Sequence, residues 1–414
     1  MALEVRERPT RAPLRLLLLL GPAFVAAIAY VDPGNVAANL TAGARYGYLL
    51  VWVLVAANAI AVFVQYQSAK LGIVTGRSLP ELLGARLGTG ARRAYWAQAE
   101  LVAAATDIAE VIGGAIALNL LIGLPLPLGG LIVGIAAIGI LAVQSRHGQR
   151  PFEVVICALL GVIAVGFLAG LVVSPVDWGA AAGGLVPRFD GAPTVLLAAS
   201  MLGATVMPHA IYLHSALARD RHGLSGDAGR VRTLLRATRL DVLLALLLAG
   251  AVNIAMLLLA ASSLSGVDGT DSIAGAHAAI SAALGPVIGA IFAIGLLASG
   301  LASTSVGSYA GATIMGGLLR VRVPLLARRV VTLIPAVVIL ALGVDPTWAL
   351  VLSQVFLSLG IPFAMIPLLR LTGSRAVMGE RADATWVRVA GGLVAALVVV
   401  LNLALVVLTL TGAA

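Results

Sequence analysis

Cysteine is almost absent from this chain. Cys157 is the only one in 414 residues, which excludes a disulfide framework and a thiolate metal cluster, and its apolar surroundings make it a packing residue. Charge is scarce as well. Asp, Glu, Lys and Arg make up 11% of the sequence against 60% hydrophobic residues, and a mean hydropathy of +1.05 lies outside the soluble globular range. There is no Gly-x-x-x-x-Gly-Lys-Ser/Thr loop and no nucleotide domain, so nothing supports ATP-driven work. An enzyme is disfavoured for want of an aqueous domain or a nucleophile–base pair. No cleavable leader is expected, because the first apolar run continues past any small-residue cleavage site.

The chain has long apolar runs instead. Hydropathy divides it into eleven spans, 14–45, 48–72, 94–122, 125–143, 152–174, 194–217, 239–262, 283–317, 326–343, 347–370 and 386–411, and leaves no soluble domain over. Alternating the loops from a cytoplasmic N-terminus puts 25 of the 27 Lys and Arg residues on one side, with only Arg45 and Arg188 on the other. The positive-inside rule then gives an inner-membrane protein with its N-terminus in the cytoplasm and its C-terminus outside. The net charge of +9 reflects this topology and contact with anionic lipid. The basic segment 219–239 lacks interleaved aromatics and sits between two spans, so no nucleic-acid role is expected, and no obligate protein partner is evident.

Asp32-Pro33-Gly34-Asn35 interrupts the first span with a carboxylate, two helix breakers and a carboxamide. A charge at bilayer-centre depth costs roughly 2.5–3.5 kcal/mol on insertion scales, so the arrangement calls for a functional reason. One reading is an unwound helix whose Asp32 and Asn35 oxygens, with freed backbone carbonyls, bind a cation at the midplane. The other is a Pro kink with Asp32 capping the helix that follows. The sixth span is interrupted in a similar way at Gly203-Ala204-Thr205-Val206-Met207-Pro208-His209. Two interrupted helices, each opening a set of five spans, point to inverted repeats over 14–174 and 194–370, with the eleventh span 386–411 outside them. Asp32 supplies a hard oxygen, Asn35 a neutral one and Met207 a soft thioether, a mixture suited to transition metals rather than magnesium or calcium.

The chain resembles the Nramp family of divalent metal transporters over nearly its whole length. The residues that carry the resemblance are Ala29 to Ala37 (Ala-Tyr-Val-Asp-Pro-Gly-Asn-Val-Ala), Ala105 to Glu110 (Ala-Thr-Asp-Ile-Ala-Glu), Met207 to Ser215 (Met-Pro-His-Ala-Ile-Tyr-Leu-His-Ser) and Ser353-Gln354-Val355. The resemblance implies an all-α membrane protein with a LeuT-like five-plus-five inverted repeat, interrupted helices 1 and 6 and an additional eleventh helix. It implies import of manganese or ferrous iron, and of cadmium and similar ions, coupled to proton entry by alternating access. The metal and the proton are then substrates, and no cofactor is expected. It further implies Asp32, Asn35 and Met207 as side-chain ligands, backbone carbonyls from Ala29 and Ala204, and Gln354 joining as the site closes. A Gln in an apolar helix can instead hydrogen-bond a neighbouring helix. Gly360 and Leu301 depart from the family pattern, which often has Gln at these positions. The principal alternative is a sodium- or proton-coupled amino-acid carrier of the same fold, although such a site would not set an acidic Asp32 against a thioether. An ion channel is less fitting, since channels use rings or filters.

Glu100, Asp107 and Glu110 in the third span, spaced by seven and three residues, share one helical face. Arg328 and Arg329 are the expected partners. With Asp32 and His209 these residues form either a proton route from the midplane to the cytoplasm or a static ion-pair cluster holding helices together. His209 is either a proton relay or a packing residue, and His214, five residues on, points elsewhere around the helix. His147, His222 and His277 fall at loops or boundaries.

Overall fold

The computed structural model describes residues 20–411 except 225, 271 and 322. The start of the first expected span, the four arginines of residues 1–15 and Arg322 therefore lie outside the described residues. Among the described residues every regular element is helical. In chain order they are α1 Pro22–Ala27, α2 Pro33–Tyr46, α3 Val51–Thr75, α4 Leu79–Arg86, α5 Thr89–Ile122, α6 Leu126–His147, α7 Gln149–Val173, α8 Trp178–Gly183, α9 Gly191–Thr205, α10 Pro208–His222, α11 Ala228–Ser263, α12 Ile273–Leu284, α13 Pro286–Leu319, α14 Leu325–Ala341, α15 Pro346–Thr372, α16 Arg375–Met378 and α17 Thr385–Thr411.

Both expected breaks are present, and each is made by proline. A single 3₁₀ turn, Ile28–Val31, follows α1, and the backbone then turns extended at Asp32 (ψ 166°) before Pro33 opens α2. In the second break Val206 leaves helical geometry (φ −97°, ψ 78°), Met207 occupies the cap and Pro208 opens α10. Proline cannot donate to the preceding turn and clashes with it, so an uninterrupted helix is not available at either site, whereas proline is favoured at a first helical position.

A helix coincides with each of the eleven expected spans, but among the described residues eight segments are long and apolar enough to cross a membrane, with α9 and α10 taken together as one, or nine if 356–381 counts as one bent span. α14 has 17 residues and the first span is divided, so length does not establish the count of eleven. α11 begins at Ala228 instead of near 239. Its 36 residues extend about 54 Å at 1.5 Å each, well beyond a hydrocarbon core of about 30 Å, so the Arg230–Arg239 end projects from it. The short helices α4, α8, α12 and α16 were not expected from hydropathy. α5 packs against α13, α14 and α15, while α11 packs against α2 and α3. This packing places both broken helices inside the bundle.

Candidate functional site

Asp32 fills both roles that the sequence left open. Its Oδ1 caps α2 by accepting from the Asn35 backbone N–H (2.9 Å) and also accepts from the Asn35 side-chain amide (2.6 Å). Its Oδ2 is buried and has no hydrogen-bond partner among the described residues. A buried anionic oxygen without a donor is energetically costly and calls for a positive partner. Asn35 reaches across to the second break, where its Nδ2 also donates to the Ala204 carbonyl (2.9 Å) and the Thr205 hydroxyl approaches its Oδ1 (3.4 Å). Met207 is fully buried in the same apolar cluster as Ala29, Tyr30 and Val31.

Gln354 of α15 closes the third side. A Cβ placed on Gly34 would lie 3.2 Å from Asp32 Oδ2 and 2.9 Å from Gln354 Cδ, so the glycine leaves the space through which the carboxamide faces the carboxylate. Among the described residues neither buried polar atom of Gln354 has a hydrogen-bond partner, so they supply no helix-to-helix hydrogen bond to Gln354. The hydrogen bonds and the close approach at Gly34 bring two carboxamides, Asn35 and Gln354, and the Ala204 carbonyl together at the Asp32 carboxylate. Among the described residues no group of three or more His, Cys, Asp or Glu side chains assembles a metal cluster. Such a modest set suits an ion that must leave again.

The sequence reading missed what holds the first break open. The Tyr30 carbonyl accepts from Asn253 Nδ2 of α11 (2.7 Å), and Asn253 Oδ1 accepts from Asn39 (2.9 Å). The Val31 carbonyl accepts from Ser299 of α13 (2.5 Å). Gln65 of α3 donates to the Tyr30 hydroxyl (2.6 Å) and its Oε1 meets His214 Nδ1 (2.8 Å), which accounts for His214 away from the carboxylate face. The Tyr30 and Val31 carbonyls released by unwinding are thus satisfied by polar side chains on two neighbouring helices, α11 and α13, as a low-dielectric interior requires. At the other end of α1, Asp241 of α11 accepts from the Gly21 and Ala23 N–H groups (3.0 Å each), capping the short helix from outside its own sequence.

The carboxylates of α5 do line one face, opposite α13 and the start of α14. Asp107 pairs with Arg329 through both oxygens (2.6 Å each) and also accepts from Thr304, while Glu100 pairs with Arg328. Arg329 is completely buried. Glu110, also completely buried, has neither oxygen in a hydrogen bond among the described residues; the nearby Ser303 hydroxyl donates to the Ser299 carbonyl (2.7 Å). Two guanidinium groups therefore match two of three carboxylates. Glu110 is within electrostatic reach of Asp32, Asp107 and Arg329. Gly307 and Gly311 of α13 make room: a Cβ on Gly307 would lie 2.9 Å from Glu110 Oε2, and one on Gly311 would overlap the Arg328 guanidinium. His209 is buried beside the second break with neither ring nitrogen hydrogen-bonded. Gly360 lies against Val102 and Pro208, where a Cβ would be 2.9 and 3.0 Å from their side chains, so the departure from Gln there goes with close helix packing.

The comparisons with known proteins agree with this geometry. A family model described as natural resistance-associated macrophage protein-like (Nramp) matches residues 23–408. The divalent metal cation transporter MntH of Mycobacterium tuberculosis is 62% identical over 397 residues, covering 95% of this chain and 92% of the relative. A crystal structure of the Eremococcus coleocola manganese transporter, in complex with an aromatic bis-isothiourea compound, superposes with a TM-score of 0.88 at 33% identity over 97% of this chain and 88% of that one. The nucleobase-cation-symport transporter MHP1, at 15% identity and a TM-score of 0.57 over 94% of this chain and 89% of that one, shares the fold alone. With both breaks, the Asp32–Asn35–Ala204 junction and an all-helical LeuT-like bundle in place, the chain belongs to the Nramp family.

Proposed function

We propose that this multi-pass membrane protein imports divalent transition metal ions, manganese and ferrous iron first and cadmium and similar ions besides, coupled to proton entry by alternating access. The observation that carries the reading is the buried, donor-free Oδ2 of Asp32, set between two proline-broken helices and faced by Gln354. Asp32, Asn35, Met207, Gln354 and the carbonyls of Ala29 and Ala204 are the proposed ligands. The thioether favours softer transition metals over magnesium and calcium. The names of the relatives, a divalent metal cation transporter and a manganese transporter, agree with this class of substrate.

The proton route we propose runs from Asp32 along Glu110, Asp107 and Glu100 between Arg329 and Arg328, with His209 at its upper end. A divalent ion at Asp32 brings positive charge within electrostatic reach of Glu110 and so favours proton loss from that face. From the loop charges we propose the plasma membrane as its location, with its N-terminus cytoplasmic and its C-terminus outside. The test is manganese influx and internal acidification measured together in proteoliposomes. Asp32→Ala removes the only charged oxygen at the break and is expected to abolish both fluxes in a protein that still folds. Near-normal manganese uptake at equal abundance overturns the site.

A further inference from the structure

α15, the helix that carries Gln354, has two internal prolines, Pro362 and Pro367. Each removes the N–H that would bond the carbonyl four residues earlier, so the orphaned acceptors are those of Ser358 and Phe363. Side chains from three other helices capture both. Asn402 of α17 donates its Nδ2 to the Ser358 carbonyl at 2.5 Å. Tyr95 of α5 donates its hydroxyl to the Phe363 carbonyl, and Tyr212 of α10 reaches the same oxygen at 3.3 Å. Tyr95 also sets its ring edge-on to that of Phe363, with centroids 6.1 Å apart. Asn402 is buried within the otherwise apolar run 389–408 of α17, and no other role of the protein uses it. Ser358 in turn lies against Gly203, the residue before Ala204, so the captured turn sits between α17 and the second break.

We infer that Asn402, together with the Tyr95–Tyr212 pair, fixes the bend of α15 and thereby the approach of Gln354 to Asp32, making these positioning residues for metal binding. Ser358 is one helical turn beyond Gln354, so a change of bend at Pro362 moves the carboxamide directly. In lipid a freed carbonyl has no water to fall back on, and its capture holds one geometry among those a proline turn allows. α17, the last helix, thus acts on the site through a single hydrogen bond. This inference rests on the metal-transport reading.

The experiment compares Asn402→Leu, Pro362→Ala and their combination, each in wild-type and Gln354→Ala backgrounds, by manganese uptake in proteoliposomes and by hydrogen–deuterium exchange of residues 356–370 in detergent. Asn402→Leu is expected to raise the KM for manganese by about three- to tenfold with less than a twofold change in maximal rate, and to speed amide exchange around Pro362. Pro362→Ala restores the backbone N–H to the Ser358 carbonyl, so in that background Asn402→Leu should have no further effect on either readout, and in the Gln354→Ala background its effect on KM should disappear. An unchanged KM and unchanged exchange in folded Asn402→Leu overturn the inference, as does a KM effect of full size without Gln354. Wild-type protein that takes up no manganese would instead defeat the transport reading, and the exchange data still decide whether Asn402 fixes the bend.

Discussion

Asp107 and Glu110 lie three residues apart on one face of α5, yet substitution of the two is expected to affect stability in opposite ways. Asp107 holds the fully buried Arg329 at 2.6 Å through both oxygens. At that separation and an effective dielectric constant of about 20, the attraction is about 6 kcal/mol, much of which offsets the desolvation of the two ions. Asp107→Asn strands Arg329, whose Nε and Nη2 already lack partners, and breaking one side of such a pair costs about 3–5 kcal/mol. That is a large part of a typical stability of about 5–15 kcal/mol. Among the described residues Glu110 has no ion pair and no hydrogen bond to lose, so Glu110→Gln should remain within about 1 kcal/mol of wild type. The assay is the unfolding midpoint of purified protein in one detergent, paired with manganese influx and internal acidification at several imposed membrane potentials. Asp107→Asn is expected to unfold earlier and to lose metal-stimulated proton entry more than metal flux. Replacing both members, as in Asp107→Asn with Arg329→Met, should recover most of the stability but none of the proton entry. The argument fails if Asp107→Asn is as stable as wild type while Glu110→Gln is the weaker protein. A strictly proportional loss of both fluxes in Asp107→Asn would make the ion pairs a structural clamp.

Met207→Ala should keep manganese transport better than cadmium transport and let calcium and magnesium compete more effectively, because the hard oxygens stay and the soft ligand goes; competition uptake checks this, and unchanged calcium competition makes Met207 a packing residue. Gly34→Ala puts a methyl group where the Gln354 carboxamide lies and should raise the KM for manganese several-fold, with partial relief when Gln354→Ser is added, both read from initial uptake rates. Asp241→Ala removes both bonds to the start of α1, a cap loss of about 1–2 kcal/mol, and should speed thiol labelling at Ala23→Cys in a Cys157→Ser background by about tenfold.

The breaks were legible in the sequence because Asp-Pro-Gly-Asn and Met-Pro-His put residues that forbid a helix into apolar runs that otherwise demand one. The carboxylate face was legible for a similar reason: spacings of seven and three leave Glu100, Asp107 and Glu110 no way to face apart. Ser299, Asn253 and Gln65 were not legible. Each is a small or neutral polar residue in an apolar helix, which looks the same whether it packs, caps or binds. Ser299 is 268 residues from the carbonyl it satisfies, a pairing that only the fold reveals. Orphaned carbonyls can be predicted from proline positions alone, but Pro362 and Pro367 say nothing about which helix supplies the donor. Hydropathy also cannot count crossings where a helix is as short as α14 or as divided as the first.

The Asn35 amide makes the site its own competitor. Its two N–H bonds run to Asp32 Oδ1 and the Ala204 carbonyl, two of the oxygens a cation would seek. On the proposed ligand set, an arriving ion displaces both contacts and turns the carboxamide so that its oxygen replaces its nitrogen. One of these bonds is to a charged group and the other is neutral, so the displacement forfeits about 2–4 kcal/mol, or about 30- to 1,000-fold in affinity. The same bonds re-form as the ion departs. A carrier gains turnover from this arrangement, since the internal amide limits how tightly cargo is held and reseals the junction once the cargo has gone.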